Sequence, residues 1–398
     1  MHPTKTSASP ASGGSTLAPA LAWLEEQGKL TPTGVPGKVK RGPFTYDRKL
    51  EQQRIARAKA LVQRSDPGPF EDPVYLAMLA YQAASLELAF PKRLGDKRID
   101  HGWSRFLLGT IHSRELNAMA QAFIAHNYTV VLLCSALVEF IYQAAKAAVA
   151  ATNPTRGSDN RVYVIATKEH VTAQLAKDAG PVERLYRTLE AYFFDGYPRA
   201  FANEQVPIVQ QLPLSPLVGL AERWVIGHEF GHGFAAELDW QRAPNPAMAE
   251  EYFADEQATI LTALSAARID DMAPEFALAG GAFALASLEV FQRALSVLRH
   301  GRVVQAPSDG IHPTNQARAD HIVDTFERYF DADPEQGPAS LRFVLRPDGW
   351  KPTDGELGRS RREMVSRWPN VLYVIWDQVH PRLLRDFENK RSLHSMWK

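Results

Sequence analysis

Apolar residues recur at three- and four-residue spacing along most of this 398-residue chain, the pattern of helices with one buried face. Asp47 to Gln63 is polar, charged and rich in helix formers. Pro73 to Phe90 follows, with Leu76, Leu79, Ala80 and Ala83 on one face. Ser113, Glu115 and Leu116 open another helical region. Tyr128 to Ala151 supplies the most apolar helix of this half, ended by the turn residues Asn153 to Asp159. Pro181 to Tyr192 reads as helix, and so do Ala247 to Ala267, Pro274 to Arg299, His312 to Tyr329 and Arg362 to Asn389, the last kinked at Pro369 and Pro381.

The period-2 signal of strands is sparse. Arg161 to Thr167 is short, β-branched and flanked by turn residues, which predicts a strand or sheet edge beside the central helices. Such an edge docks extended peptide by backbone pairing. Leu341 to Leu345 is a second, weaker strand candidate inside the Pro-, Gly- and Asp-rich stretch 331–360. Gly196 to Pro216 carries Pro198, Pro207, Pro213 and Pro216 and reads as loop or extended chain. The expected fold is therefore mainly α, with a minor sheet or edge strand.

Domain boundaries follow from composition. Residues 1–43 are rich in Ser, Thr, Pro, Gly and Ala and read as a flexible segment, with a short helix around Leu21 to Gln27 and a basic linker at Lys38 to Arg41. Residues 44–100 form a helical extension, 101–330 the functional domain, and 331–398 a C-terminal loop and helix.

Acidic and basic residues balance at 45 each, so no global field favours nucleic acid or an anionic membrane. Two apolar segments approach membrane-span length, but 128–151 contains Glu139, Gln143 and Lys146, and 276–298 contains Glu289, Gln292 and Arg293. Charges at such spacing predict buried helices of a soluble protein. The N-terminus shows no signal-peptide pattern, which predicts a cytoplasmic protein. Cys134 is the only cysteine, which rules out intramolecular disulfides and cysteine-based zinc sites, so a metal would need His, Asp or Glu ligands.

Such ligands occur where they are needed. In Trp224-Val-Ile-Gly-His228-Glu229-Phe-Gly-His232-Gly, two histidines one helical turn apart share a face, with a glutamate after the first. The helix is expected to run on to about Asp239, before Pro244 and Pro246. A zinc hydrolase needs a third protein ligand and an open position. Glu251, on the next predicted helix, fits that role, with Glu250 as its competitor. Asp255, one turn beyond Glu251, is placed to accept the free ring N–H of a ligating histidine. Glu229 suits the general base, taking a proton from water activated by one zinc ion and delivering it to the leaving amine. Downstream, His312 and Arg318 flank a helix start. Spacing alone reads His312 as a surface or capping residue and Arg318 as part of a salt bridge.

His228-Glu229-Phe-Gly-His232 with Glu251-x-x-Ala-Asp255 resembles the HExxH…ExxAD pattern of gluzincin metallopeptidases. His312-Pro-x-x-x-x-Arg318 resembles the HP…R element of HtpX- and CAAX-prenyl-protease-type enzymes. The soluble arrangement is similar to Lit-like phage-exclusion peptidases, and ImmA/IrrE-type regulatory peptidases share the short motif. No helix-turn-helix pattern accompanies it here. The resemblance implies a zincin-like helical metalloprotease domain. It makes His228, His232 and Glu251 the zinc ligands, Glu229 the base and Asp255 the orienting carboxylate. It also makes His312 and Arg318 active-site residues and the substrate a protein, in a phage-defence or stress role. Two rival readings remain: a non-catalytic scaffold in which zinc ties two helices together, and a membrane-associated HtpX-like processing protease.

Overall fold

The computed structural model describes residues 17–29, 38–41, 44–66, 72–90, 103–111, 116, 118–123, 128–158, 162–195, 205–236, 245–270, 272–303, 313–331 and 356–389. The chain is mainly α-helical with a small sheet.

Helix α1 (Leu17–Lys29) precedes a hairpin of β1 (Lys38–Arg41) and β2 (Phe44–Asp47). The basic Lys38–Arg41 stretch, expected to be a linker, is thus half of a two-stranded ribbon. Two helices follow, α2 (Arg48–Ser65) and α3 (Pro73–Ala89). Asp72 caps α3 by accepting from the backbone N–H groups of Val74 and Tyr75 at 3.0 and 3.2 Å, with Pro73 in the first turn.

The next region departs from the expected helices. Phe106–Ile111 (β3), Ala118–Phe123 (β4) and Tyr128–Cys134 (β5) form one sheet in the order β3-β5-β4. β3 pairs with β5 in parallel and β4 pairs with β5 antiparallel. The Tyr128-to-Ala151 segment is therefore not one helix. It is a strand of β-branched and apolar residues that turns directly into α4 (Ser135–Thr152). A short apolar run has no periodicity to separate the two states, which is why the sequence did not part them. The strand expected at Arg161 to Thr167 shrinks to Val162–Tyr163 (β7), paired with Thr155–Arg156 (β6). The candidate strand at 341–345 lies outside the described residues.

Helices α5 (Lys168–Lys177) and α6 (Gly180–Asp195) lead to α7 (Ile208–Ala235), the 28-residue helix bearing the histidine motif. It starts inside the stretch expected to be loop and contains Pro213 and Pro216. An interior proline costs about 3 kcal/mol. Burial of Leu214, Leu217, Val218, Leu220 and Ala221 on the same turns offsets that cost. The helix ends at Ala235, short of the expected Asp239. After it come α8 (Pro246–Ile269), α9 (Phe276–His300), α10 (Asn315–Phe326) with a π-turn at Glu327–Asp331, and α11 (Glu356–Asn389). Asn245 and Thr314 cap α8 and α10, and Gly301, at φ 66°, ends α9.

Buried side chains from α1 through α11 join one apolar core, with α7 packed between α8 and α9. Of the described helices, α9 alone is long and apolar enough to cross a membrane, and 61% of its most apolar window is buried inside the protein. The charges that argued against a span in 128–151 are also inside. Glu139 accepts hydrogen bonds from Tyr75 and Gln143, both at 2.7 Å, and the Lys146 ammonium sits 4.8 Å from the Tyr142 ring centroid.

A buried polar seam joins α3 to α7 and α8. Gln82 donates to Glu222 at 3.0 Å and accepts from Arg223 Nε at 2.7 Å. Arg223 also donates to Ser265 at 2.8 Å and pairs with Asp270. Burial pushes the Glu222 carboxyl up to about 7, against the opposing pull of the Gln82 hydrogen bond and the Arg223 charge.

Candidate metal centre

The site depends first on how closely two helices approach. A Cβ at Gly231 would sit 2.5 Å from Ala254 Cα, and one at Gly227 would sit 3.0 Å from Ala258 Cα. These pairs, one turn apart and in opposite sequence order, show that α7 and α8 run antiparallel with backbones almost touching. No side chain larger than hydrogen fits at Gly231 without moving α8. A third glycine, Gly233, seats the end of α7 on the sheet, where a Cβ would lie 2.5 Å from the Phe106 ring.

That approach brings Glu251 opposite His228 and His232. Ligand atoms of the three residues all lie within 4.8 Å of one another, and among the described residues they are the group able to hold a metal ion. The Nε2 atoms of the two histidines are 3.1 Å apart. Glu251 presents Oε2 at 3.6 Å from His228 Nε2 and Oε1 at 3.4 Å from His232 Nε2.

The other ring nitrogens explain this convergence. His228 Nδ1 lies 2.9 Å from Asp255 Oδ1, and His232 Nδ1 lies 2.9 Å from Glu250 Oε1. An ionised carboxylate only accepts, so each Nδ1 is placed to donate, and in the neutral imidazole that tautomer turns the Nε2 lone pair inward. Burial, the largest influence, holds His228 below the ordinary imidazole range, and the nearby Arg318 charge adds to this. Two lone pairs and a carboxylate facing one point repel unless a cation lies between them. Two zinc–nitrogen bonds of about 2.0–2.1 Å in tetrahedral geometry would place the nitrogens roughly 3.3 Å apart, close to the separation seen. The donor set therefore fits a divalent ion held by His228, His232 and Glu251.

Arg318 and Asp255 complete the support. Asp255 is fully buried and receives two hydrogen bonds from Arg318, Nη2 to Oδ1 at 2.6 Å and Nε to Oδ2 at 2.8 Å. Burial alone would raise this carboxyl, but the Arg318 charge and the hydrogen bonds from Arg318 and His228 hold it down at about 2. Arg318 Nη2 also lies 3.4 Å from His228 Nδ1, a spacing between two donors that follows from their shared acceptor.

Glu229, buried beside His228, contributes no atom to the three-residue cluster. Burial first, and the Glu251 charge second, push its carboxyl up to about 8, against the pull of Arg318. A carboxyl poised near neutrality next to a metal position is suited to proton transfer.

The residues singled out in the sequence thus divide. His228, His232 and Glu251 meet, Asp255 orients His228 and Arg318 grips Asp255. His312 lies outside the described residues. Glu250, considered as a rival third ligand, stands instead on the far side of the His232 ring. Sequence reasoning missed the part played by Trp224, whose indole stacks on His228 with ring centroids 5.6 Å apart and planes 18° apart. The i, i+4 spacing of the two residues was the available signal.

No protein-family model matches this chain, and no curated protein or solved structure matches it either. The arrangement of the side chains therefore has to carry the functional reading.

Proposed function

We propose that this protein is a zinc-dependent endopeptidase of the gluzincin type that hydrolyses peptide bonds of a protein substrate. The observation that carries this reading is the convergence of the two histidine Nε2 atoms with Glu251, beside a buried glutamate that is not one of the three converging residues. His228, His232 and Glu251 would hold the ion. When bound there, zinc supplies Lewis acidity toward water and toward a scissile carbonyl.

Glu229 is the base. Its carboxylate removes a proton from water as the water oxygen bonds to the carbonyl carbon. The carboxylic acid then returns that proton to the amide nitrogen as the C–N bond breaks, so the carboxylate is regenerated. Asp255 keeps the His228 proton on Nδ1, and Arg318 keeps Asp255 ionised. Neither needs to touch substrate.

The sheet supports a polymeric substrate. β4 packs along α7 and, among the described residues, has β5 on one side and no strand on the other. Ala118, Ala120 and Ala122 are half-buried, while Met119 (42% exposed), Gln121 and Phe123 (38% exposed) face outward. An edge of this kind takes up an extended chain by main-chain pairing. It replaces the 161–167 segment as the docking edge expected from the sequence.

The test combines metal analysis with cleavage. Purified protein should carry close to one zinc per chain, and His228→Ala should carry none. Newly formed protein N-termini are then compared between cells carrying wild type and cells carrying Glu229→Gln. The proposal requires cleavages present only with the wild type. Identical N-termini in both, with Glu229→Gln folded and zinc-loaded, would sink it and leave zinc as a structural tie between α7 and α8.

A further inference from the structure

We infer that Trp224 is a positioning residue for His228, and that Gly281, on a helix contributing no ligand, sets where its indole lies. This rests on the metal reading of the site. The hydrogen bond from His228 Nδ1 to Asp255 fixes one point of the imidazole, but the ring can still swing about that bond and carry Nε2 with it. The stacked indole removes that freedom, because a tilted imidazole would meet its face.

The indole is itself held on three further sides. Its Nε1–H donates to Thr259 Oγ1 at 3.3 Å, and that hydroxyl donates to the Asp255 carbonyl at 2.8 Å. The Arg318 guanidinium carbon stands 5.6 Å from the ring. On the α9 side, a Cβ at Gly281 would fall 2.7 Å from both Cδ1 and Nε1, so only glycine leaves the indole where it is. Trp224 is almost fully buried. Through this one side chain, α8, α9 and α10 together determine the plane of a ligand carried by α7.

Neighbouring Gly280 supplies the control. A Cβ there would meet Leu220 at 2.6 Å, the same helix seam without the indole. The experiment measures zinc affinity of the full-length protein by competition with a chromophoric chelator, the visible spectrum of the cobalt-substituted protein, and the Tm. Trp224→Leu and Gly281→Ala should weaken zinc by about tenfold or more, the usual effect of losing an outer-shell partner, and should shift the cobalt bands. Gly280→Ala should lower Tm while leaving affinity and spectrum close to wild type. Trp224→Phe, which keeps a ring against His228, should retain most of the affinity.

A folded Trp224→Leu with wild-type affinity and spectrum overturns the inference. So does equal weakening by the Gly280 and Gly281 variants, or by Phe and Leu at 224. If the glycine variants do not fold, the Phe and Leu pair decides. A wild-type protein that binds no zinc overturns the metal reading and this inference together.

Discussion

Arg318 and Asp255 meet as a two-pronged pair inside the protein, Nη2 to Oδ1 at 2.6 Å and Nε to Oδ2 at 2.8 Å. The motif His312-Pro-x-x-x-x-Arg318 led to the expectation that Arg318 is an active-site residue. The geometry gives it a definite task, since both prongs hold the carboxylate that orients His228. Its guanidinium is a counter-charge within the protein, with Nη2 also 3.9 Å from Glu251 Oε2.

Arg318→Met should therefore be costly, because it strands a buried carboxylate. Breaking such a pair from one side destabilises by roughly 3–5 kcal/mol. Arg318→Lys should recover only part of this, since an ammonium cannot reproduce the planar fork. Urea denaturation compares the three proteins. Equal stability of the Met variant and wild type would show that Asp255 does not depend on this partner.

The two histidines should differ in how firmly they are held. Asp255 behind His228 has a fully buried side chain, whereas that of Glu250 behind His232 is 40% exposed. Losing an outer-shell partner costs about 10–100-fold in metal affinity. Asp255→Ala is expected at the upper end of that range and Glu250→Ala at the lower end. The effect of Glu250 should also shrink in high salt, since exposed charges are screened. Chelator competition at two ionic strengths checks both statements.

Gly231→Ala tests the helix approach directly. A methyl group 2.5 Å from the Ala254 backbone must force α7 and α8 apart, carrying Glu251 away from the histidines. Overpacking of this kind costs about 1–3 kcal/mol. The variant should also lose most of the rise in Tm that zinc gives the wild type by mass action. Thermal unfolding with and without added zinc reads both effects.

Glu222 makes stability fall as pH rises. Its folded carboxyl is pushed up to about 7 from an ordinary 4.5, so the folded state holds an extra proton between those values. Below pH 4.5 the group is neutral in both states and costs nothing. Above 7 it is charged in both, and the burial penalty is complete. With each pKa unit equal to about 1.4 kcal/mol, the swing is on the order of 3 kcal/mol. Glu222→Gln should lack it, so wild type should lose stability relative to this variant between pH 4.5 and 7. A pH-independent difference in urea midpoints would contradict this.

The cluster of His228, His232 and Glu251 was legible in the sequence because each signal is local: His228 and His232 share a helix face by spacing, and Glu251 and Asp255 repeat that spacing on the next helix. The helical character was legible for the same reason. The sheet was not, because β5 and α4 form one unbroken apolar run whose change of state is set by pairing with β3 and β4. The start of α7 was hidden by Pro213 and Pro216, where burial of neighbouring leucines outweighs local preference. The role of Glu250 and the fit of Trp224 against Gly281 depend on how three helices meet, and no spacing along the chain encodes that.

Gln82 has a practical consequence for anyone trimming this protein. Its single amide donates to Glu222 from one end and accepts from Arg223 at the other, six and five residues before His228. A fragment starting at the sheet would strip both charged groups of that neutral bridge and open the buried side of the motif helix to water. The histidine motif should therefore not survive as a transplantable cassette. The smallest working unit must reach back at least to α3.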